Sequence, residues 1–173
     1  DLRGAILSRA ILTYSDLRGC QIAEARFDEA DFRHARVADL DFGGVDLRAA
    51  NLTGALMNHM NFRKADLRNA EVRNANLFEA CFEDADLRGT ILVQSSIERG
   101  VFKGANLEGA NLAGANLTDA LLERVNLART DLSQTRLGGA DFRGANLRGA
   151  LLRGATLQGT CLVDADLGEA DLT

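Results

Sequence analysis

The chain has 173 residues, and its 20 basic and 25 acidic side chains give a formal net charge of −5 and a pI of about 5.1. An acidic chain with no basic stretch argues against direct nucleic-acid binding. No run of 18 apolar residues is present, so no membrane-spanning helix is predicted.

An apolar residue occupies every fifth position along the chain, from Leu2 to Leu172. These 35 positions hold 23 Leu, 7 Phe, 2 Val, 2 Ile and one Met, and none is polar. Residues five apart on a helix are rotated by roughly 140°, so no single helix face would collect them. A chain that bends after each repeat keeps them on one side, which predicts a three-residue strand followed by a corner.

Each repeat also shows where its corner lies. The residue two positions before the central apolar one is mostly Ala and shares its inward side, whereas the Asp or Asn between them faces outward. Thirteen of the 17 glycines occupy the second corner residue, as Gly104, Gly109 and Gly114 do. A type II turn needs positive φ at that position, which Gly adopts without a steric cost.

The number of repeats per coil follows from the phenylalanines. Five of the seven central Phe residues fall in one column when positions are sorted by a period of 20, whereas Phe27 and Phe32 fall elsewhere. This predicts four repeats per coil and an aromatic stack along one wall. The predicted stack contains Phe42, Phe62, Phe82, Phe102 and Phe142. Leu40 and Met60 replace the usual Ala on the same wall, beside these rings.

The tandem Ala-(Asp/Asn)-Leu-x-x motif, clearest at residues 104–119, resembles the pentapeptide-repeat family over the whole chain. That resemblance implies an all-β fold, a right-handed quadrilateral parallel β-helix with four pentapeptides per coil and about 8.5 coils. It also implies that residues 1–173 form a single solenoid domain, in which each coil contacts only its neighbours. The family predicts architecture well and function poorly.

Two segments carry notable charge. Residues 24–46 are the most acidic part of the chain. The candidate acidic surface there consists of Asp28, Glu29, Asp31, Asp39, Asp41 and Asp46. Asp-Leu-Arg recurs at 46–48, 66–68 and 86–88, which should stack an Asp column beside an Arg column as a solvated charge ladder.

Residues 90–101 depart furthest from the repeat consensus, because apolar residues replace outward polar ones. The candidate partner-binding surface in and around this segment comprises Phe78, Ile91, Val93, Val101 and Leu121. Ile91 and Val101 should lie on opposite walls, so one patch cannot contain all five. Scattered apolar surface residues are ordinary, and this remains the alternative interpretation. Ile6 and Ile11 are also outward, in the first coil.

No catalytic, cofactor or metal site is predicted. His34 and His59 fall at corners without a ligand cluster, and Cys81 has no base partner. Cys20 should face inward, whereas Cys81 and Cys161 lie four coils apart, roughly 19 Å, too far for a disulfide. Free thiols favour a reducing cytoplasm.

These observations favour a non-enzymatic, rigid protein–protein interaction scaffold whose partner is unknown. The resemblance implies one alternative, a DNA mimic that binds bacterial DNA gyrase or topoisomerase IV and protects it from quinolones. DNA of similar length carries roughly 24 charges, far more than this chain's −5. A second alternative is the repeat segment of a larger effector or signalling protein. Because coil ends would expose strand edges and apolar core, two copies could also meet end to end or share a cap.

Overall fold

The computed structural model describes all residues from 1 to 173. It contains no helix. Each strand is reduced to a single bridged residue, and a two-residue turn begins two residues later. The bridged residues lie five apart from Ile6 to Asp171, with Gln21 as the one exception. This arrangement confirms the predicted all-β solenoid.

Every bridge is parallel and joins residues 20 apart, from Ile6 with Arg26 to Leu151 with Asp171. The chain therefore makes four turns before it returns to the same place. We call each 20-residue passage a coil, and residues spaced 20 apart a column. Side chains within one column are direct neighbours along the solenoid.

The second residue of every turn, from Gly4 to Glu169, has positive φ. Thirteen of these residues are Gly and 21 are not, including His34 with φ 60° and His59 with φ 59°. The amide after the turn donates to the carbonyl of the central residue, as Ala105 does to Phe102 at 2.8 Å. Positive φ at this position alone together with that hydrogen bond defines a type II turn.

The core is a continuous cluster of 49 buried apolar residues. They come from the central position, which is the apolar residue at every fifth place, and from the position two residues before it, which is mostly Ala and is called the Ala-type position. Stacked rings run through it, with centroids 5.3 Å apart for Phe42 and Phe62, 5.0 Å for Phe62 and Phe82, and 4.8 Å for Phe82 and Phe102. Interplanar angles of 2°, 6° and 11° show nearly parallel rings. Phe142 is buried in the same column but outside the stack, because Leu122 occupies the position between.

Two further rings enlarge the aromatic core at the N-terminal side. Phe27 and Phe32 lie 5.2 Å apart, and both meet Phe42 edge-on, at 6.5 and 6.1 Å. Edge-to-face contacts suit the aromatic quadrupole. Leu40 and Met60, each at an Ala-type position, are buried beside this group. The core is therefore bulkiest around residues 27–62.

The backbone ladder between coils is complete from Phe62 onward and interrupted in several places before it. The amides of His34, Val37 and Asp39 make no hydrogen bond to residues 53–58, and the amide of Leu56 makes none to Ala35. We call this interruption, between residues 34–39 and 53–58, the ladder gap. A second interruption separates residues 19–24 from 38–43.

Candidate partner-binding surface

Three apolar side chains follow one another on the outside of a single column. Cys81 bridges Val101, and Val101 bridges Leu121, so the three lie on successive coils. Asn61 precedes them and Asp141 follows them, as is typical of this position. Leu121 is 47% exposed, whereas Cys81 and Val101 are half-buried. We call Cys81, Val101 and Leu121 the apolar strip.

Charged turn residues border the apolar strip. Arg63 pairs with Glu83 at one end, and Arg143 pairs with Glu123 at the other, with Lys103 between them in the same column. An apolar centre with a charged, solvent-exposed border is the usual anatomy of a protein–protein contact.

The Cys81 thiol within the apolar strip is not set up as a nucleophile. Burial raises its pKa, and the opposing effect of the Arg63 charge is smaller. A raised pKa keeps the thiol protonated at neutral pH, and a nucleophilic cysteine needs the thiolate. The side chain therefore contributes apolar surface.

Phe78 lies three residues before Cys81, at the adjoining corner, and is half-buried. Its ring meets His59 edge-on at 5.5 Å between centroids, and the Arg99 guanidinium carbon lies 5.9 Å from the ring centroid. His59 Nδ1 is 3.1 Å from Glu79. Phe78 thus packs among corner residues of the neighbouring coils, and only part of the ring is available to a partner.

The other two predicted partner-binding residues belong to another side of the solenoid. Ile91 bridges Glu71 and Asn111, and Val93 follows it at the adjoining corner. Both are half-buried. The structure therefore divides the five predicted residues into two groups: Phe78, Val101 and Leu121 on one side, and Ile91 with Val93 on the other.

Arginines neutralise much of the predicted acidic surface. Glu29 pairs with Arg9, Asp31 with Arg33, and Asp46 with Arg48. Asp28 accepts hydrogen bonds from Ser8 and Arg26, and Asp41 accepts them from the Gly43 amide and Asn61. Asp39 makes no ion pair, but its charge acts on the nearby Arg18. These residues do not form a continuous anionic face.

Each Asp-Leu-Arg segment forms a clamp that sequence spacing did not predict. The aspartate accepts hydrogen bonds from the amide and guanidinium of the arginine two residues later, as Asp46 does from Arg48. Two of the three arginines also reach the next coil: Arg48 lies 3.7 Å from Asp66, and Arg68 lies 3.6 Å from Asp86. The predicted charge ladder is therefore a zigzag chain of ion pairs. The arginine hydrogen bonds lower the pKa of Asp46 and of Asp86.

One exposed apolar residue was not predicted from the sequence to belong to a binding surface. Leu56 is 69% exposed at an outward position and borders the ladder gap. An apolar residue where Asp or Asn is typical was the same signal that singled out Ile91. Tyr14 was likewise missed, and its ring stacks on His34 with centroids 5.0 Å apart.

No three His, Cys, Asp or Glu side chains converge where they could hold a metal ion. No helix has the length and apolarity needed to cross a bilayer.

The fold defines the class of protein: a β-solenoid in which the residue at the middle of each short strand faces outward and is commonly Asp or Asn. The chain belongs to the pentapeptide-repeat family. The family model, described as pentapeptide repeats and matched in 8 copies, covers residues 1–27, 25–59, 41–77, 61–94, 101–139 and 136–173. The unmatched residues 95–100 lie within the segment that departs furthest from the consensus.

Solved structures with similar chains include other pentapeptide-repeat proteins. HetL, involved in heterocyst differentiation regulation in the cyanobacterium Nostoc sp. strain PCC 7120, is 27% identical, with 96% of this chain and 86% of that chain covered and a TM-score of 0.40. Rfr23 from the cyanobacterium Cyanothece 51142 is 28% identical, with coverages of 74% and 91% and a TM-score of 0.31.

QnrB1, a plasmid-mediated fluoroquinolone resistance protein, is 21% identical, with coverages of 96% and 79% and a TM-score of 0.44. Among curated proteins, none matches this chain by sequence.

Proposed function

We propose that this chain is a non-enzymatic, cytoplasmic protein-interaction scaffold that needs no cofactor. The scaffold is a single right-handed, four-sided solenoid domain of about 8.5 coils over residues 1–173. Bridges 20 residues apart and a turn in every repeat support the four-sided cross-section. Three free cysteines support a reducing compartment.

The apolar strip is the observation that carries the proposed function. Three successive coils expose Cys81, Val101 and Leu121 where polar residues are typical, and ion pairs border them. The backbone beneath is fully hydrogen-bonded, so these side chains are held on a rigid surface. Solenoids commonly bind partners through such extended surfaces.

Replacing Val101 and Leu121 together by Asn tests the apolar strip. Asn is typical of this outward position, so the double variant should fold as the wild type does. We expect a partner captured by the wild-type chain from native-host lysate to be lost, because the apolar contact area is removed. Quantitative mass spectrometry of the captured proteins measures the loss.

The matched control is the double variant Ile91→Asn and Val93→Arg on the other side. Asn111 and Arg73 already occupy the same two columns one coil away. This control should retain the partner. Equal recovery by the Val101/Leu121 variant and the wild type would remove the apolar strip as the binding surface.

DNA mimicry of the kind that protects gyrase or topoisomerase IV is the alternative function. The arginine clamps argue against DNA mimicry, because they neutralise the carboxylates of Asp46, Asp66 and Asp86 along the solenoid. A gyrase supercoiling assay with micromolar protein separates the two functions. Inhibition of supercoiling, or protection from a quinolone, would favour mimicry over the scaffold.

The second alternative, a repeat segment within a larger effector or signalling protein, is compatible with the same surface. Domains that flank these residues in the full-length gene product would support it.

A further inference from the structure

Charges on both borders of the apolar strip alternate from coil to coil. Lys103 and Asp119 are exposed on opposite borders, and neither makes an ion pair within its own chain. Lys64 and Asp164 are also exposed and unpaired, at the same corner as Lys103. In solenoid order, the first border reads Arg63, Glu83, Lys103, Glu123 and Arg143, and the second reads Glu79, Arg99 and Asp119. Each border thus presents an alternating pattern of charge to a facing surface.

A second copy of the chain is one surface that could face this wall, and homodimers are most often related by a twofold axis. If the two solenoids ran parallel, the first border of one copy would face the second border of the other at the same coil. Lys103 would then face Arg99, and Glu83 would face Glu79. Because like charges repel, the wall does not fit a parallel pair.

In an antiparallel pair, each border faces the same border of the second copy in reverse order. An axis through the coil of Val101 would set Lys103 against the same lysine of the second copy. An axis between the coils of Val101 and Leu121 instead sets Lys103 against Glu123. The same axis also joins Glu83 with Arg143, Arg99 with Asp119, and Lys64 with Asp164. The unpaired Lys103, Asp119, Lys64 and Asp164 all gain an oppositely charged residue in this way.

The same axis also matches the uncharged side chains. Val101 faces Leu121 of the second copy and Leu121 faces Val101, so these two apolar residues cover each other twice. Phe78, on the second border, faces Gly138, which has no side chain to exclude the ring. The contact therefore has an apolar centre, as protein interfaces commonly do.

The two neighbouring registers fit less well. An axis one coil earlier would set Leu121 against Asn61 and Lys64 against Arg124. An axis one coil later would set Leu121 against Asp141. Both would cover the most exposed apolar residue of the strip with a polar one, so the axis between Val101 and Leu121 is favoured.

We propose that the apolar strip binds a second copy of this chain. The two solenoids lie side by side and antiparallel, and their twofold axis passes between the coils of Val101 and Leu121. This inference rests on the proposed function, because it names the partner of the same surface.

The facing wall extends over six coils, from Asn61 to Cys161. At about 4.8 Å per coil and about 3.3 Å for each of five residues across, it measures about 29 Å by 16 Å. Two such walls bury about 900 Å², which is typical of weak, reversible association. Cys81 lies opposite Asp141, whose carboxylate is already bound by Arg143 of its own chain at 2.6 Å.

Sedimentation equilibrium of the purified chain measures the association. We expect a reversible dimer with a dissociation constant on the order of tens of micromolar. Added salt should weaken it, because it screens the exposed charges on both borders. A chain that stays monomeric up to about 1 mM would overturn the proposal.

Charge reversal tests the register of the two copies. Lys103→Glu and Glu123→Lys each set like charges opposite each other, so each variant alone should associate at least about tenfold more weakly. An equimolar mixture of the two variants should regain wild-type association, because each reversed residue then faces an opposite charge in the other copy. Folding defects in the separate variants would not be repaired by mixing. Failure of the mixture to associate would overturn the proposed dimer.

Arg136→Glu is the matched control, because Arg136 is exposed and unpaired on the neighbouring wall. This variant should associate as the wild type does. If it weakens association as much as Lys103→Glu does, net charge rather than the facing wall is responsible, and the proposal is wrong.

The Val101→Asn/Leu121→Asn variant separates the dimer from the scaffold function. It should sediment as a monomer at concentrations where the wild type is a dimer. If the wild type is monomeric while capture of another protein from lysate still requires Val101 and Leu121, the dimer is wrong and the scaffold stands. If the wild type dimerises as proposed while capture of other proteins does not depend on these residues, the dimer stands and the scaffold surface is wrong.

Discussion

Ser95 shows how a single residue modifies one turn of the solenoid. It occupies an Ala-type position and is fully buried. Its hydroxyl donates to the Val72 carbonyl at 2.6 Å and accepts from the Ala75 amide at 3.2 Å. The direct hydrogen bond from Ala75 to Val72, which every other turn makes in its own repeat, is absent. The hydroxyl thus completes a turn that does not close by itself.

Ser95→Ala should destabilise the chain by about 1–2 kcal/mol, because a buried amide and carbonyl lose their shared partner. The shift of the urea unfolding midpoint measures this effect. Ser133→Ala is the control, since the Ser133 hydroxyl lies at a turn and makes no hydrogen bond; its effect should stay within about 0.5 kcal/mol. No shift for Ser95→Ala would mean that the turn closes once the hydroxyl is gone.

At the scale of one element, the column that begins with the Asp-Arg zigzag continues as an amide ladder. Asn126 donates to Asn106 Oδ1 at 3.0 Å, and Asn146 donates to Asn126 Oδ1 at 3.0 Å. Asn126 Oδ1 also accepts from the Ala128 amide at 3.2 Å. The column therefore changes from ion pairs to neutral hydrogen bonds, and both arrangements join successive coils through their side chains.

Asn126→Asp keeps the acceptor for Ala128 and removes the donor to Asn106, so two oxygens face each other. We expect it to destabilise the chain by about 1 kcal/mol more than Asn76→Asp. Asn76 makes the same turn contact, to the Phe78 amide at 3.2 Å, without an amide ladder. Thermal unfolding measures both variants. Equal shifts would show that the ladder adds nothing to the turn contact.

Across the whole molecule, aspartate clamps link stability to pH. In Asp16, Asp31, Asp46, Asp86 and Asp141, a hydrogen bond from the arginine two residues later is the main cause of a lowered pKa. For Asp16 the pKa falls from 3.8 to about 2. A carboxyl whose pKa is lower in the folded chain stabilises it above the unfolded pKa, and this contribution is lost as pH falls toward the folded pKa.

The urea unfolding midpoint should therefore be level above about pH 5 and fall between about pH 4 and pH 2. Arg88→Met should raise the pKa of Asp86, which NMR titration of the carboxyl carbon measures. Asp141, clamped by Arg143 in another column, serves as the internal control and should not change. An unchanged pKa for Asp86 would show that the clamp is not its cause.

The five-residue period was sufficient to predict the fold because the residues that specify the strand and the corner lie within each repeat. Leu107 and Ala105 specify the inward side, Asn106 the outward side and Gly109 the corner, all within a few residues. The aromatic stack could be predicted in the same way, since the period of 20 places Phe62 directly beside Phe82. The turn at residues 72–75 could not be predicted, because Ser95 from another coil completes it.

The sequence by itself determined the solenoid, its inward residues and its outward apolar substitutions. The period of 20 also predicts that Val101 and Leu121 share a column and that Ile91 lies on the opposite wall. Only the tertiary structure decided that Phe78 packs among corner residues of the neighbouring coils and that Leu56 is 69% exposed. It also decided the arginine clamps and the ladder gap. Their physical reason is the same, because contacts between coils depend on the volumes and charges of side chains some 20 residues apart, which a five-residue motif does not encode.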